Sequence, residues 1–222
     1  MNLIKELIEE LKSVISGKTF DAILPPTVYV ITNNIFGLII GIILSIVVAL
    51  LISIFRVMKN QTWLYAFGGF LGVLIASSFA YFASSAENYF LPDAITSAFF
   101  VLLIIVSLFI KKPLAAWVSH LTRGWNLKWF WRKDVKPAYT EVTLFWGTFF
   151  FMRFLIEVYL LMNGNVFQLF WSKILLGLPA LIIVLIITYV YGIWRLHQLG
   201  GPGIDEFNED KKPPWEGQKR GF

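Results

Sequence analysis

Three charged side chains interrupt the otherwise apolar run FMRFLIEVYLLMNGNVFQLFWSKILL, residues 151–176: Arg153, Glu157 and Lys173. A guanidinium four residues before a carboxylate shares its helix face. Two cations and one anion leave an excess of positive charge, which suits a lipid phosphate or a carboxylate ligand. If the chain turns near Asn165, Glu157 and Lys173 lie equally deep, ~12 Å below the turn, and Arg153 lies one helical turn deeper. By the same counting Gly177 falls opposite Arg153, leaving room beside the guanidinium. Pro179 would free a backbone carbonyl to accept from it. Trp146, Phe150 and Leu160 share the face of Arg153 and Glu157. A charge at the centre of a bilayer costs ~2.5–3.5 kcal/mol on insertion scales, so it is paired or turned to a polar cavity. Two readings follow: a closed Arg153–Glu157–Lys173 network that fixes helix register, or a site that holds an anionic or polar ligand.

No other constellation carries chemistry. The chain has no cysteine and only two histidines, His120 and His197, neither in a metal-binding spacing. No phosphate-binding loop or nucleophile elbow is present, and GGFLG at 68–72 reads as packing glycine. No catalytic residue, metal or cofactor is expected.

The elements that must position the charges are membrane helices. With 57% hydrophobic and only 15% charged residues, the chain is far more apolar than a soluble domain. Stretches 35–57, 63–83, 93–110, 141–162 and 168–194 are each long enough to cross a bilayer. Residues 19–33, TFDAILPPTVYVITN, are a weaker sixth, read as a short first span kinked at Pro25 and Pro26 or as a re-entrant segment. Of 19 lysines and arginines, all but Arg153 and Lys173 fall on one side if six spans leave both ends in the cytosol. The expected fold class is therefore all-α, a polytopic six-span helical bundle.

Residues 1–18 do not read as a signal peptide, since charges break the apolar run. Their apolar positions follow a helical period, giving an amphipathic helix that lies in the interface or packs on the cytosolic loops. The span domain covers 19–197, and the tail 198–222, rich in Gly, Pro and charge, is expected to be disordered. The loop KKPLAAWVSHLTRGWNLKWFWRKDVKP mixes basic and aromatic residues, and beside a membrane this favours anionic lipid over nucleic acid as partner.

Small residues let membrane helices approach closely. Gly37, Gly41, Ser45, Ala49 and Ser53 recur at every fourth position, as do Gly68, Gly72, Ala76, Ala80 and Ser84. The two ridges are expected to pack on each other, with a homodimer as the other use.

FDAILPPTVYVITNNIFGLIIGI, ENYFLPDAI, WRKDVKPAYTEVTLFWGTFFFMRFLIEVYL and LLGLP together resemble a family of uncharacterised multi-pass membrane proteins best known from actinobacteria. More distantly, the proline-bearing first span and the Trp131–Arg132 pair resemble bacterial intracellular septation protein A. The resemblance covers roughly residues 16–195 and implies a bacterial-type plasma-membrane protein tied to envelope or division machinery. Arg153 and the stretch Leu176–Pro179 match the family's arginine and Gly-x-Pro, whereas Glu157 departs from an uncharged position. The expected function is a non-enzymatic scaffold or envelope-associated membrane protein, with lipids and other membrane proteins as partners. The alternative is a small-solute or lipid transporter that uses the midplane charges.

Overall fold

The computed structural model describes residues 19–219 and 221–222, so the amphipathic helix expected over 1–18 lies outside the described residues. Among the described residues all regular structure is helical: α1 (Thr19–Phe36), α2 (Leu38–Met58), α3 (Trp63–Phe82), a 3-10 turn (Glu87–Phe90), α4 (Leu91–Phe109), α5 (Leu114–Arg123), α6 (Leu127–Phe130), α7 (Lys136–Asn163), α8 (Val166–Leu176), α9 (Leu178–Leu199) and α10 (Ile204–Asn208). Four stretches among the described residues are long and apolar enough to cross a membrane: Leu38–Met58, Glu87–Phe109, Lys136–Asn163 and Val166–Leu199. Their outward positions carry large apolar side chains such as Ile43, Leu51, Phe99 and Ile183, as lipid-facing helices require. The chain is a membrane protein.

The chain divides into two compact units. The first comprises residues 19–96 and Arg153–Pro179, and its core joins Tyr29, Val30, Ile42, Ala76, Ala80, Tyr89, Phe90 and Leu169. Its N-terminal hairpin is tighter than the sequence suggested. α1 continues helical through Pro25 and Pro26 to Phe36, and Gly37 alone joins it to α2. That residue sits at φ +85, in the left-handed region that glycine enters without a Cβ penalty. Its N–H donates to the Asn33 carbonyl at 2.9 Å. The turn brings Gly41 so near α1 that a Cβ there would stand 3.0 Å from the Asn33 Cβ. Gly41 thus packs against α1. Further along, Ile42 of α2 meets Ala76 and Ala80 of α3 in the core, and Ser45, Ala49 and Ser53 are buried.

The second unit comprises Ser97–Met152 and Ala180–Phe222. Ala116, Trp129, Phe130, Val135, Ala138, Tyr139, Leu196 and Ile204 form its core. The tail expected to be disordered is folded onto it. The Trp129 indole N–H donates to the Pro202 carbonyl at 2.9 Å, Ile204 is buried, and the Phe222 ring stacks on Tyr139 at 4.3 Å. A Cβ at Gly192 would overlap that Phe222 ring. Composition suggested disorder because the tail has few apolar residues, yet the few it has fill a slot built by Trp129, Tyr139 and Gly192.

The last span also departs from expectation. Instead of one helix over 168–194, α8 stops at Leu176 and α9 starts at Leu178. Pro179 has no N–H to continue the ladder, and its ring crowds the preceding turn. Gly177 takes a non-helical conformation at the junction, where a Cβ would overlap the Lys173 carbonyl oxygen.

Candidate functional site

Asn165 opens α8 by accepting from the Gln168 N–H at 2.9 Å, while the Gln168 side chain accepts from the Asn165 N–H at 3.1 Å. This reciprocal cap sets the turn between α7 and α8 where the sequence placed it. With the turn fixed, the charges on the two helices take defined positions in the first unit.

Arg153 and Glu157 meet as a pair on α7. The Arg153 Nε donates to Glu157 Oε1 at 2.8 Å, with side chains only 12% and 6% exposed. Two ions this far from water are stable only when paired, since each alone carries several kcal/mol of desolvation penalty. Lys173 finds an acid outside the expected cluster. Its Nζ lies 2.7 and 3.0 Å from the two carboxylate oxygens of Asp93 and 5.9 Å from the centre of the Phe90 ring. Asp93 stands in the first turn of α4 and Lys173 in the last turn of α8, so each also complements its helix dipole. With Asp93 added, two cations face two anions and the cluster loses its excess positive charge.

Beside Phe90, which the Lys173 ammonium faces, the Tyr29 and Tyr89 rings stack at 3.9 Å, and the Tyr29 hydroxyl donates to the Ala86 carbonyl at 2.9 Å. This aromatic pair closes the first unit around the 3-10 turn that leads into Asp93. Gly177 and Pro179 form the α8–α9 junction one helical turn beyond Lys173. Trp146 belongs to the second unit, where it packs with Phe149 and Phe150, and Phe150 stacks on Phe100 at 4.6 Å.

The packing residues divide. Gly41, Ser45 and Ala76 are buried, whereas Gly68 and Gly72 are exposed with open space where a Cβ would stand. Gly37 serves as the turn between α1 and α2.

A second charge constellation, missed in the sequence, lies in the second unit. Glu141 of α7 accepts from Arg195 of α9 at 2.8 Å and from the Tyr191 hydroxyl at 2.7 Å, and Arg195 also reaches the other carboxylate oxygen at 3.0 Å. Glu141 near the start of one span and Arg195 near the end of the next antiparallel one was the available signal. Among the described residues no three His, Asp or Glu side chains group as a metal site would require.

A family model described as "Protein of unknown function (DUF3159)" matches residues 17–196. No curated protein and no solved structure matches the chain, and nothing supports the distant resemblance to septation protein A. The match spans the helical region from α1 into α9 and both charge pairs of the first unit, and the chain belongs to this family of unknown function.

Proposed function

We propose that the protein is a six-span, non-enzymatic scaffold of a bacterial-type plasma membrane, with both ends in the cytosol and envelope-associated membrane proteins as partners. Four helices meet the length and hydropathy of a span outright. α1 and α3 complete the six: their 18 and 20 residues reach ~27 and ~30 Å, close to the thickness of the hydrocarbon core, and both pack on α2. This count gathers the loop and terminal lysines and arginines on one side, as the positive-inside rule asks. The open Gly68 and Gly72 positions on α3 offer a close-packing face to a partner helix, from a second copy or another membrane protein. Anionic lipid is the partner of the basic cytosolic face.

One observation supports the choice of a scaffold: Arg153 with Glu157, and Lys173 with Asp93, pair inside the fold, so each of the two cations already has a carboxylate. The alternative, a small-solute or lipid transporter, draws on the helix break at Gly177 beside Lys173, since interrupted spans are where transporters hold polar ligands. Flux of small anions and of labelled lipid into proteoliposomes decides between them. The scaffold reading expects rates equal to protein-free vesicles. A flux that disappears with Arg153→Leu would establish the transporter instead.

A further inference from the structure

α5 is built inside out for a helix in water. Leu114, Trp117, Val118 and Leu121 recur at i, i+3, i+4 and i+7 and line one face. Val118 is 51% and Leu121 79% exposed, with Leu114 and Trp117 half-buried beside them. The opposite face carries the polar residues and points into the protein. Ala116 and Ser119 are buried, the His120 Nδ1 lies 2.6 Å from the Trp125 carbonyl, and Arg123 rests 5.1 Å from the Trp125 ring. A water-facing helix would place these two sets the other way round.

Its position along the chain gives the depth. α4 ends at Phe109 and α5 begins at Leu114, so the short connection keeps the start of α5 within ~17 Å of the end of a membrane-spanning stretch. That connection is pinned, because the Leu114 N–H donates to the Ser107 hydroxyl and the Ala115 N–H to the Thr143 hydroxyl. Exposed Lys111 and Lys112 precede the apolar face in the chain and exposed Lys128 follows it, and the Lys112 ammonium lies 5.9 Å from the centre of the Trp131 ring. From 111 to 136 the only acid is Asp134, which is bonded to Arg132.

We infer that α5 is an in-plane membrane helix whose Leu114, Trp117, Val118 and Leu121 face enters the interface of the leaflet while Lys111, Lys112 and Lys128 hold anionic phospholipid headgroups. The inference rests on the cytosolic placement proposed above and names the lipid contact of that face. Apolar side chains flanked by lysine and tryptophan match the chemistry of that boundary: acyl chain below, phosphate at the level of the ammonium groups. A protein partner would need acids to meet the same lysines.

The chain lacks cysteine, so one introduced thiol labels one position. The full-length protein carrying Leu121→Cys, or Asn208→Cys in the exposed last turn of α10 as a water-facing control, is labelled with an environment-sensitive fluorophore. It is then placed in vesicles of phosphatidylcholine alone or of an equimolar mixture with phosphatidylglycerol. The label at 121 should be shielded from aqueous iodide and quenched by lipids bearing a nitroxide near the headgroup end of the acyl chain. The label at 208 should behave oppositely. Preference for nitroxide-labelled phosphatidylglycerol should fall at least about fivefold when Lys111, Lys112 and Lys128 are changed to Gln, each charge near the leaflet being worth roughly that factor. Iodide quenching at 121 equal to that at 208 would overturn the inference, as would shielding that vanishes on dilution of protein in the membrane, which marks a second copy as the occupant. An unchanged lipid preference in the lysine variant would overturn the headgroup assignment. Labelling of Asn208→Cys from outside intact cells would refute the cytosolic placement alone, since depth at 121 is read independently.

Discussion

The Lys173 ammonium holds both carboxylate oxygens of Asp93, at 2.7 and 3.0 Å, across 80 residues of chain. The bond ties α8 to the start of α4, two helices that share no turn. At 33% and 22% exposure the two side chains are partly screened, so the pair is worth less than a fully buried one. Lys173→Met should lower stability in detergent by about 1–2 kcal/mol, and adding Asp93→Leu should recover most of that loss. The charge-reversed pair, Asp93→Lys with Lys173→Asp, should recover only part, because each charge then opposes its helix dipole. Thermal unfolding of the four proteins checks this, and a double variant no better than Lys173→Met would show that the pair is not coupled.

The Arg153–Glu157 pair is more deeply buried, and its single variants should cost more. Arg153→Leu removes the guanidinium from beside the buried Glu157 carboxylate, a loss of about 3 kcal/mol, while Arg153→Leu with Glu157→Leu removes both charges and should be more stable than the single change. Equal melting temperatures for the single and double variants would mean that the two groups do not depend on each other.

These two pairs show what a sequence can disclose. The contact of Arg153 with Glu157 is local, four residues apart on one helix, so the sequence could place both on one face, although the order Arg before Glu slightly favoured a partner on another helix. The turn at Asn165 was legible for the same reason, since its cap is made with Gln168. Asp93 was not legible as the partner of Lys173, because that depends on which helices become neighbours. Four of the expected spans could be found from length and hydropathy, but the folding of the tail could not. Its order comes from Phe222 and Ile204 filling a slot whose walls lie far away in sequence, at Trp129, Tyr139 and Gly192.

The two small-residue ridges should respond differently to the same change. A methyl group at Gly41 would press on Asn33 backbone and side-chain atoms at 3.0–3.1 Å, so Gly41→Ala should force α1 and α2 apart at a cost of about 1–3 kcal/mol. At Gly72 nothing stands within 4 Å, so Gly72→Ala should leave the isolated protein unaffected or slightly stabilised. Melting temperatures of the two variants in detergent test this directly. A larger loss at Gly72 than at Gly41 would show that α3 uses its glycines inside the fold.

The tail should be acid-sensitive through one side chain. The Glu206 carboxylate accepts from the backbone N–H groups of Glu216 and Gly203 at 2.9 Å and of Gly217 at 3.1 Å, gathering both ends of the segment onto one anion. These bonds, led by that from Glu216, hold its pKa below the ordinary carboxylate value, with the charge of Lys211 helping. A carboxylate depressed on folding binds its proton more readily in the unfolded tail. Its contribution is therefore complete above the unfolded pKa, about 4.3, and is lost as pH falls through the lower folded value. Hydrogen exchange at Glu216 and Gly217, referenced to an unstructured peptide at each pH, should show constant protection from about pH 7 to 5 and a decline below about pH 4. Glu206→Gln should weaken protection at neutral pH and flatten the acid limb. Persistence of that limb in the variant would assign the transition to another acid.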